Sequence, residues 1–426
     1  MNKPNHSPTP LTQFIIGEEI LQVESFDNSR QLTANGWLDR VPTVTSAYIH
    51  IPFCFHKCHY CDFFSVTGKD DQHAAFVNRL ESELAYVGER MQPLETIFIG
   101  GGTPTLLSSK LFEQMLCAIN SHLPMIEEVE WTIEANPETV TSEIATLIVD
   151  AGINRVSIGA QSFDTALLSA LERWHNPSSV VNAVEQLCVA GVNNINIDLI
   201  YAIPNQTIEQ VEQDLQHAID LQPQHISCYA LTYEPNTPLQ TRLMKGEVER
   251  VEHELEAEMF NLVAIKLQSN QYLQYEISNY ALDGFECQHN LAYWKNKSWW
   301  PFGPAASGHL DGRRWKNSQI ISDYLNTSDL PYIKDVELVD PDKRAGEEFM
   351  MGLRLIGGME RSWVEDLISK SFNCWRQTVI DRFIDTGFLH WKDGKLALTE
   401  HGVLFTDTVV SSLLMQEGGM TDITGQ

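Results

Sequence analysis

Ala47-Tyr48-Ile49-His50-Ile51-Pro52-Phe53-Cys54-Phe55-His56-Lys57-Cys58-His59-Tyr60-Cys61 is the stretch on which the fold turns. Its first five residues form a β-branched, apolar run closed by Pro52, which predicts a short buried strand at Ala47–Ile51. A loop follows at the strand's C-terminal end, with three thiols within eight residues. Three soft ligands at Cys54, Cys58 and Cys61 suit an iron–sulfur cluster. Zinc ordinarily takes a fourth Cys or His and a second Cys-x-x-Cys pair; no such pair occurs, but His56 and His59 stand near enough to keep that reading open. Eight cysteines in 426 residues do not make a disulfide scaffold, and the other five are scattered.

Outward from this loop, Phe76, Leu80, Leu84 and Val87 recur at spacings of four and three, the apolar stripe of a helix packed on a sheet. Further β-branched runs at Thr96–Ile99, Trp131–Glu134, Arg155–Ile158, Ile195–Ile200 and His225–Leu231 bring the predicted strands to six. Strand–helix alternation at this spacing means parallel βαβ units, either a partial barrel or an open doubly wound sheet. Both architectures place the active site at the strand C-termini. Polar groups occur at successive tips: Gly100-Gly-Gly-Thr-Pro-Thr105, Glu134 and Asn136, Gln161 and Ser162, and Asp198. Successive glycines let backbone amides approach a carboxylate closely, although a plain tight turn or a helix cap would use the same residue types.

The remaining sequence divides by composition. Residues 1–46 are polar, broken by Pro4, Pro8, Pro10, Gly36 and Pro42, and read as an extension wrapping the body. Residues 47–236 carry the six strands, and 237–325 read as a capping region that begins with a charge-rich helix at Glu247–Glu258. The acidic stretch 326–342 reads as a linker, 343–415 as a small winged-helix-like module of helices and a hairpin at 391–398, and 416–426 as a tail. A formal charge of −28 opposes phosphate backbones, so no nucleic-acid partner is expected. No stretch approaches the roughly 20 apolar residues of a membrane span, and the N-terminus lacks a signal-peptide pattern, so the expected location is cytoplasmic.

Cys-x3-Cys-x2-Cys after a strand resembles the signature of the radical S-adenosylmethionine (SAM) superfamily. That resemblance implies an α/β fold, a partial (β/α)6 barrel, and a [4Fe-4S] cluster whose fourth iron is chelated by SAM. The strings Tyr-Ile-His-Ile-Pro-Phe-Cys, Gly-Gly-Gly-Thr-Pro-Thr, Glu-Ala-Asn-Pro, Ser-x-Gly-x-Gln-Ser-Phe and Asp-Leu-Ile-Tyr-x-x-Pro resemble more narrowly the oxygen-independent coproporphyrinogen oxidase group, over residues 47 to about 415. Carried over position by position, the resemblance implies that Tyr48, Gly101, Glu134 and the backbone at Ala230 contact the SAM on the cluster. It likewise implies that Tyr60, Gly102, Thr103, Gln161, Arg173 and Asp198 line a second SAM site. Ala202 and Asn205 depart from the family pattern, which often has glycines there.

Two features separate the decarboxylating oxidase from its heme-handling relatives, the HemW group. The oxidase usually carries a fourth cysteine two residues after the triad; here Cys61-Asp-Phe63-Phe64 has none and resembles the heme-chaperone ending. Cys287-Gln-His289-Asn290-Leu-Ala-Tyr293-Trp294, followed by Trp299, Trp300 and Phe302, offers an imidazole, a thiol and flat aromatic faces, a set suited to heme and equally to a buried aromatic mini-core. His-Asn-x-x-Tyr-Trp resembles the motif associated with heme binding in the chaperone group. The expected function is a heme chaperone passing heme to an acceptor protein; its rival is a radical SAM coproporphyrinogen oxidase in porphyrin biosynthesis. Chains of the chaperone group commonly start only a few residues before Tyr-Ile-His-Ile-Pro-Phe-Cys, whereas 46 residues precede the first strand here, closer in length to the oxidase's N-terminal arm. A tRNA-modifying enzyme fits least, for want of a basic domain. The acceptor and electron donor are not named by the sequence, which is compatible with a monomer or dimer and with peripheral contact to a membrane-bound acceptor.

Overall fold

The computed structural model describes residues 33–414, together with the backbone of a short antiparallel ribbon at Phe14–Ile16 and Glu19–Leu21. The remainder of the N-terminal extension and the 416–426 tail lie outside the described residues.

Six strands stand side by side in parallel and in chain order: β1 (Ser46–Ile51), β2 (Leu94–Gly101), β3 (Met125–Ala135), β4 (Arg155–Gln161), β5 (Ile195–Tyr201) and β6 (His225–Ala230). The segments between them carry α1 (His73–Gly88), α2 (Ser109–His122), α3 (Ser142–Ala151), α4 (Thr165–Ala170), α5 (Pro177–Ala190) and α6 (Ile208–Asp220). One face of each strand is aliphatic. Ile49, Ile97, Ile133, Ile158, Ile197 and Ile226 join the α1 stripe of Phe76, Leu80, Leu84 and Val87 in a single buried core, the largest source of stability in the fold. The alternate positions are polar: Thr96, Thr132, Arg155, Ser157, Asn196, His225 and Ser227 are also buried. An outer apolar face and an inner polar one, at period two, are the pattern of a barrel whose lumen holds chemistry. The helices start on side-chain caps, among them Thr141, Asn176 and a full capping box of Thr207 with Gln210.

The chain from 237 to 325 lengthens the sheet at both edges instead of forming a separate cap over it. β7 (Leu273–Glu276) and β8 (Asn279–Ala281) pair antiparallel beyond β6. On the other edge β9 (Trp299–Phe302) lies parallel to β1, and β10 (Ser307–Leu310), β11 (Arg313–Asn317) and β12 (Ile333–Leu338) continue antiparallel, giving twelve strands. Covering the edges of β1 and β6 satisfies backbone groups that would otherwise offer pairing to other chains. Trp300 and Phe302 are core residues of β9, buried to 1% and 0% exposure, and not faces free to stack on a ligand. The expected linker at 326–342 contains β12, an edge strand whose largely exposed side chains hide any apolar alternation. The charge-rich helix begins at His253, not Glu247, and α8 runs to Ser269, with α7 (Pro238–Met244) before it. Glu254 and Glu256 then sit in its first turn, where negative charge is favoured.

The C-terminal module has its own core, including Phe349, Leu367, Ile380, Phe383, Leu396 and Val409. It comprises helices Pro341–Gly352, Arg361–Ser369 and Trp375–Asp385, a hairpin of Leu389–Lys392 and Lys395–Leu398 with Met359–Glu360 added at its edge, and the final helices Glu400–Val403 and Thr406–Leu414. It joins the barrel through the backbone bond from Ile356 N–H to the Tyr275 carbonyl at 3.0 Å. At the other end of the described chain, Trp37 packs on Trp315 of β11 with ring centres 4.9 Å apart. Among the described residues no helix is long and apolar enough to cross a membrane.

Candidate functional site

The candidate side chains form two sets at opposite ends of the barrel. At the strand C-termini, the thiol loop is closed at its base by Cys54 N–H donating to the Val66 carbonyl (3.0 Å) and Val66 N–H to that of Pro52 (2.7 Å). The glycine loop is strapped beneath it, Gly102 N–H donating to the Ile51 carbonyl and Thr103 N–H to that of Phe53, both at 2.7 Å. These contacts explain the glycines physically. A Cβ on Gly102 would stand 2.5 Å from the Phe53 carbonyl oxygen, and one on Gly100 would stand 2.6 Å from the Glu134 carboxylate. Below the loop, His50 donates from Nε2 to the Phe64 carbonyl (2.8 Å), which leaves Nδ1 to accept from the Tyr48 hydroxyl (3.1 Å). Burial lowers its pKa to about 4, so it stays neutral in this structural role.

The thiols open into a cavity of about 820 Å³. Cys54, Cys58 and Cys61 share its wall with Tyr60, Gly101, Gly102, Thr103 and Glu134, and on the far side with Gln161, Arg173, Asp198 and Ala230. Of the residues expected to hold SAM, Tyr48 alone is not part of this wall; its ring stacks beside Phe98, with centres 6.2 Å apart, deeper in the barrel. Gln161 reaches the cavity from a left-handed backbone (φ 64°) at a register shift in β4. Ala202 and Asn205 adopt φ of 59° and 64°, so the loop after β5 keeps the turn that glycines would give, with side chains in place. Phe55, Phe63 and Trp174 are exposed on the rim, and His56 stacks on Trp174 at 4.3 Å.

The donor set fits an iron–sulfur cluster. Burial raises the pKa of Cys54 and pushes that of Cys61 up to about 11, so at neutral pH the free thiols keep their protons and metal binding would displace them. Thr103 Oγ1 and Arg173 Nη1 each lie 3.7 Å from a sulfur, of Cys54 and Cys58 respectively, ready to offset thiolate charge. His56 Nε2, His59 Nδ1 and His175 Nε2 are buried around the loop without a protein partner. Glu134 accepts from Gly101 N–H at 3.0 Å, and burial, then Asp198, raises its pKa to about 7. A buried carboxylate beside a second one is short of positive charge, which an amino or sulfonium group would supply.

At the strand N-termini, α9 (Gln288–Trp294) plugs the floor of the barrel. Its N-terminal amides are held by Glu130 of β3, which accepts from Gln288 N–H (2.8 Å) and His289 N–H (2.9 Å) and lies 3.5 Å from the Cys287 sulfur. His289 is buried, with both ring nitrogens engaged: Nδ1 with Thr96 Oγ1 at 2.8 Å and Nε2 with the Tyr293 hydroxyl at 2.9 Å. Burial, then Arg155, lowers its pKa to about 3, leaving the neutral imidazole that a metal requires. Burial pushes Cys287 up to about 12, an unreactive thiol. Tyr293 packs on Trp299 (4.4 Å) and Trp294 beneath Arg354 of the C-terminal module (5.7 Å), while Asn290 is half-buried on the same helix. Beside Thr96 a cleft of about 200 Å³ opens, smaller than the roughly 300 Å³ at which ligand pockets begin. Thr96 in β2 and Gly101 are five residues apart, so about 16 Å of strand separates the floor from the mouth. Sequence reading did not find Glu130, Arg155, Asn196, His225 and Tyr275, which lie between the two ends; for the first four the signal was the alternation of polar residues in strands otherwise rich in Ile and Val, and Tyr275, in the strand Leu-Gln-Tyr-Glu, carried none.

A barrel of this topology with three thiols on the loop after β1 defines a radical SAM protein. The family model for the radical SAM superfamily matches residues 48–218, and that for the HemN C-terminal domain matches 339–405. Superfamily membership implies a [4Fe-4S] cluster and SAM. Proteins named heme chaperone HemW from Bacillus subtilis (34% identical) and Escherichia coli (35%) each align with 87% of this chain, and with 99% and 98% of their own lengths. The relative from Lactococcus lactis, of the same name, is 34% identical over 87% of this chain and 98% of itself. The chain belongs to the HemW family. Its fold is shared with the E. coli coproporphyrinogen III oxidase HemN, with a TM-score of 0.77 over 89% of this chain and 92% of that one at 17% identity.

Proposed function

We propose that the protein is a heme chaperone, holding a [4Fe-4S] cluster and SAM at the barrel mouth and heme at the floor helix, and delivering the heme to an acceptor protein. The observation that carries this reading is the 34–35% identity to proteins named heme chaperone HemW over nearly their whole length. Cys54, Cys58 and Cys61 would hold the cluster, and Glu134 would face the cationic part of SAM. When bound, that pair supplies one-electron chemistry at the sulfonium. Arg173 supports the Cys58 sulfur, and Thr103 that of Cys54.

His289 is the residue for heme iron. Ligation through Nε2 requires it to leave the Tyr293 hydroxyl, while Nδ1–H donates to Thr96 Oγ1, the kind of partner that orients metal-bound histidines. The small cleft beside Thr96 must widen to admit a macrocycle, which calls for displacement of α9 against the C-terminal module. Release to the acceptor is the reverse movement, with Tyr293 reclaiming the imidazole.

The test is an anaerobic assay of cluster-loaded protein with coproporphyrinogen III and SAM, beside a hemin titration followed by absorbance. Saturable one-to-one hemin binding without decarboxylation is the expected result. Multiple-turnover decarboxylation would overturn the chaperone assignment in favour of the oxidase.

A further inference from the structure

The lumen contains an unbroken file of hydrogen bonds from the wall of the cofactor cavity to the first residue of the heme-motif segment. Asp198 and Ser157 line the cavity, and Ser157 Oγ donates to Asp198 at 2.8 Å. The Asn196 amide donates to both, to Asp198 Oδ1 and to Ser157 Oγ, each at 2.7 Å. Its oxygen accepts from His225 Nδ1 at 2.6 Å and from Ser227 Oγ at 3.1 Å. His225 Nε2 must then accept from the Tyr275 hydroxyl at 2.9 Å, and Tyr275 in turn accepts from Cys287 N–H at 3.4 Å. Cys287 leads into α9 and touches Glu130, which holds the His289 amide.

Every donor in this file points toward the cavity, and the final acceptor is the carboxylate of Asp198. Its charge fixes that polarity at the cavity end, as the Cys287 N–H donor does at the other, because the Asn196 amide, the His225 ring and the Tyr275 hydroxyl between them can each be reversed. Turning the Asn196 amide over would move the His225 proton to Nε2, make Tyr275 an acceptor toward His225, and crowd out the Cys287 amide. The file is therefore a two-state element with one end in each site, which is the physical requirement for coupling. Arg155 is buried in the same lumen with its Nε unpartnered, within electrostatic reach of Asp198 at one end and of Cys287 and Glu130 at the other.

We infer that the Asp198–Asn196–His225–Tyr275–Cys287 file couples occupancy of the SAM cavity to the hold on the heme-motif helix, so that SAM sets heme affinity at the opposite end of the barrel. This rests on the heme-chaperone reading. The cationic part of SAM, facing Glu134 within electrostatic reach of Asp198, weakens the charge that orders the file, and the loss is felt at the Cys287 amide.

The experiment measures the hemin dissociation constant of cluster-loaded protein with and without saturating SAM, for wild type and Tyr275→Phe. Allosteric couplings typically run from about 5-fold upward, so SAM is expected to change hemin affinity at least fivefold in wild type and less than twofold in Tyr275→Phe. By reciprocity hemin shifts SAM affinity by the same factor, read by equilibrium dialysis, and only in wild type. A loss of fold alone would lower both affinities without abolishing their dependence on one another. His225→Gln serves as the second break in the file should Tyr275→Phe not fold. Hemin binding that SAM leaves unchanged, or changes equally in both proteins, overturns the inference while leaving the chaperone reading intact. Absence of any hemin binding is the separate failure of that reading.

Discussion

Gly102 shows how closely the two loops at the mouth depend on one another. Its amide donates to Ile51, and any Cβ would meet the Phe53 carbonyl at 2.5 Å, a contact with backbone that no rotamer relieves. Gly102→Ala should therefore push the thiol loop away, costing about 1–3 kcal/mol as overpacking does, and leave the purified protein with substoichiometric iron and sulfide. Full cluster occupancy in that variant would contradict the strapped-loop geometry. The cysteines and the glycine run were readable because each is a local string with a local cause. The resemblance implies that Tyr48 contacts SAM; in the structure its hydroxyl bonds to His50 of the same strand and its ring stacks on Phe98 of the next, a cross-strand contact invisible to a string.

Among the elements, α9 carries most of the functional argument and is the least self-sufficient. It has only seven residues and no side-chain cap of its own, since Cys287 stands at the N-cap position; Glu130 from β3 takes that part. Helix caps are worth roughly 0.5–2 kcal/mol, so Glu130→Ala should lower stability by about 1–2 kcal/mol in denaturant melts, with Tyr293 and Trp294 fluorescence changing before the global transition. A single coincident transition with unchanged midpoint would show that α9 is held by packing alone. The strands β1 to β6 were evident from their β-branched runs, and α1 from its stripe. β9 was not, because Trp299-Trp300-Pro301-Phe302 reads as an aromatic cluster until the parallel pairing with β1 is known. β12 escaped for the opposite reason, being an edge strand without a buried face.

For the molecule as a whole, buried ionisable groups joining distant segments set the response to pH. Glu83 of α1 accepts from the Tyr324 hydroxyl (2.8 Å) and Gly303 N–H (3.3 Å) with one oxygen, while the other, Oε1, is buried without a partner. Burial raises its pKa from 4.5 to about 7. The folded protein therefore binds the extra proton between those values, so this group's contribution is full below pH 4.5 and is lost as pH rises through about 7. Glu83→Gln keeps a neutral side chain there, and its stability relative to wild type should rise by on the order of 2 kcal/mol between pH 5 and pH 8. A difference that stays flat over that interval would mean the carboxylate is already ionised in the folded state. The neutral histidines act oppositely: His50 and His289, lowered by burial to about 4 and 3, stabilise above pH 6.5 and are lost as pH falls toward those values.

The proposed placement of SAM in the cavity at one end of the barrel and of heme at α9 at the other is tested most directly by a hemin titration of cluster-loaded wild type, His289→Ala and Trp174→Ala. His289→Ala is expected to weaken binding at least tenfold, about 1.4 kcal/mol, and to alter the absorbance of the bound heme, whereas Trp174→Ala on the mouth rim binds as wild type does. Binding indifferent to His289 and lost in Trp174→Ala would place heme at the mouth and contradict it.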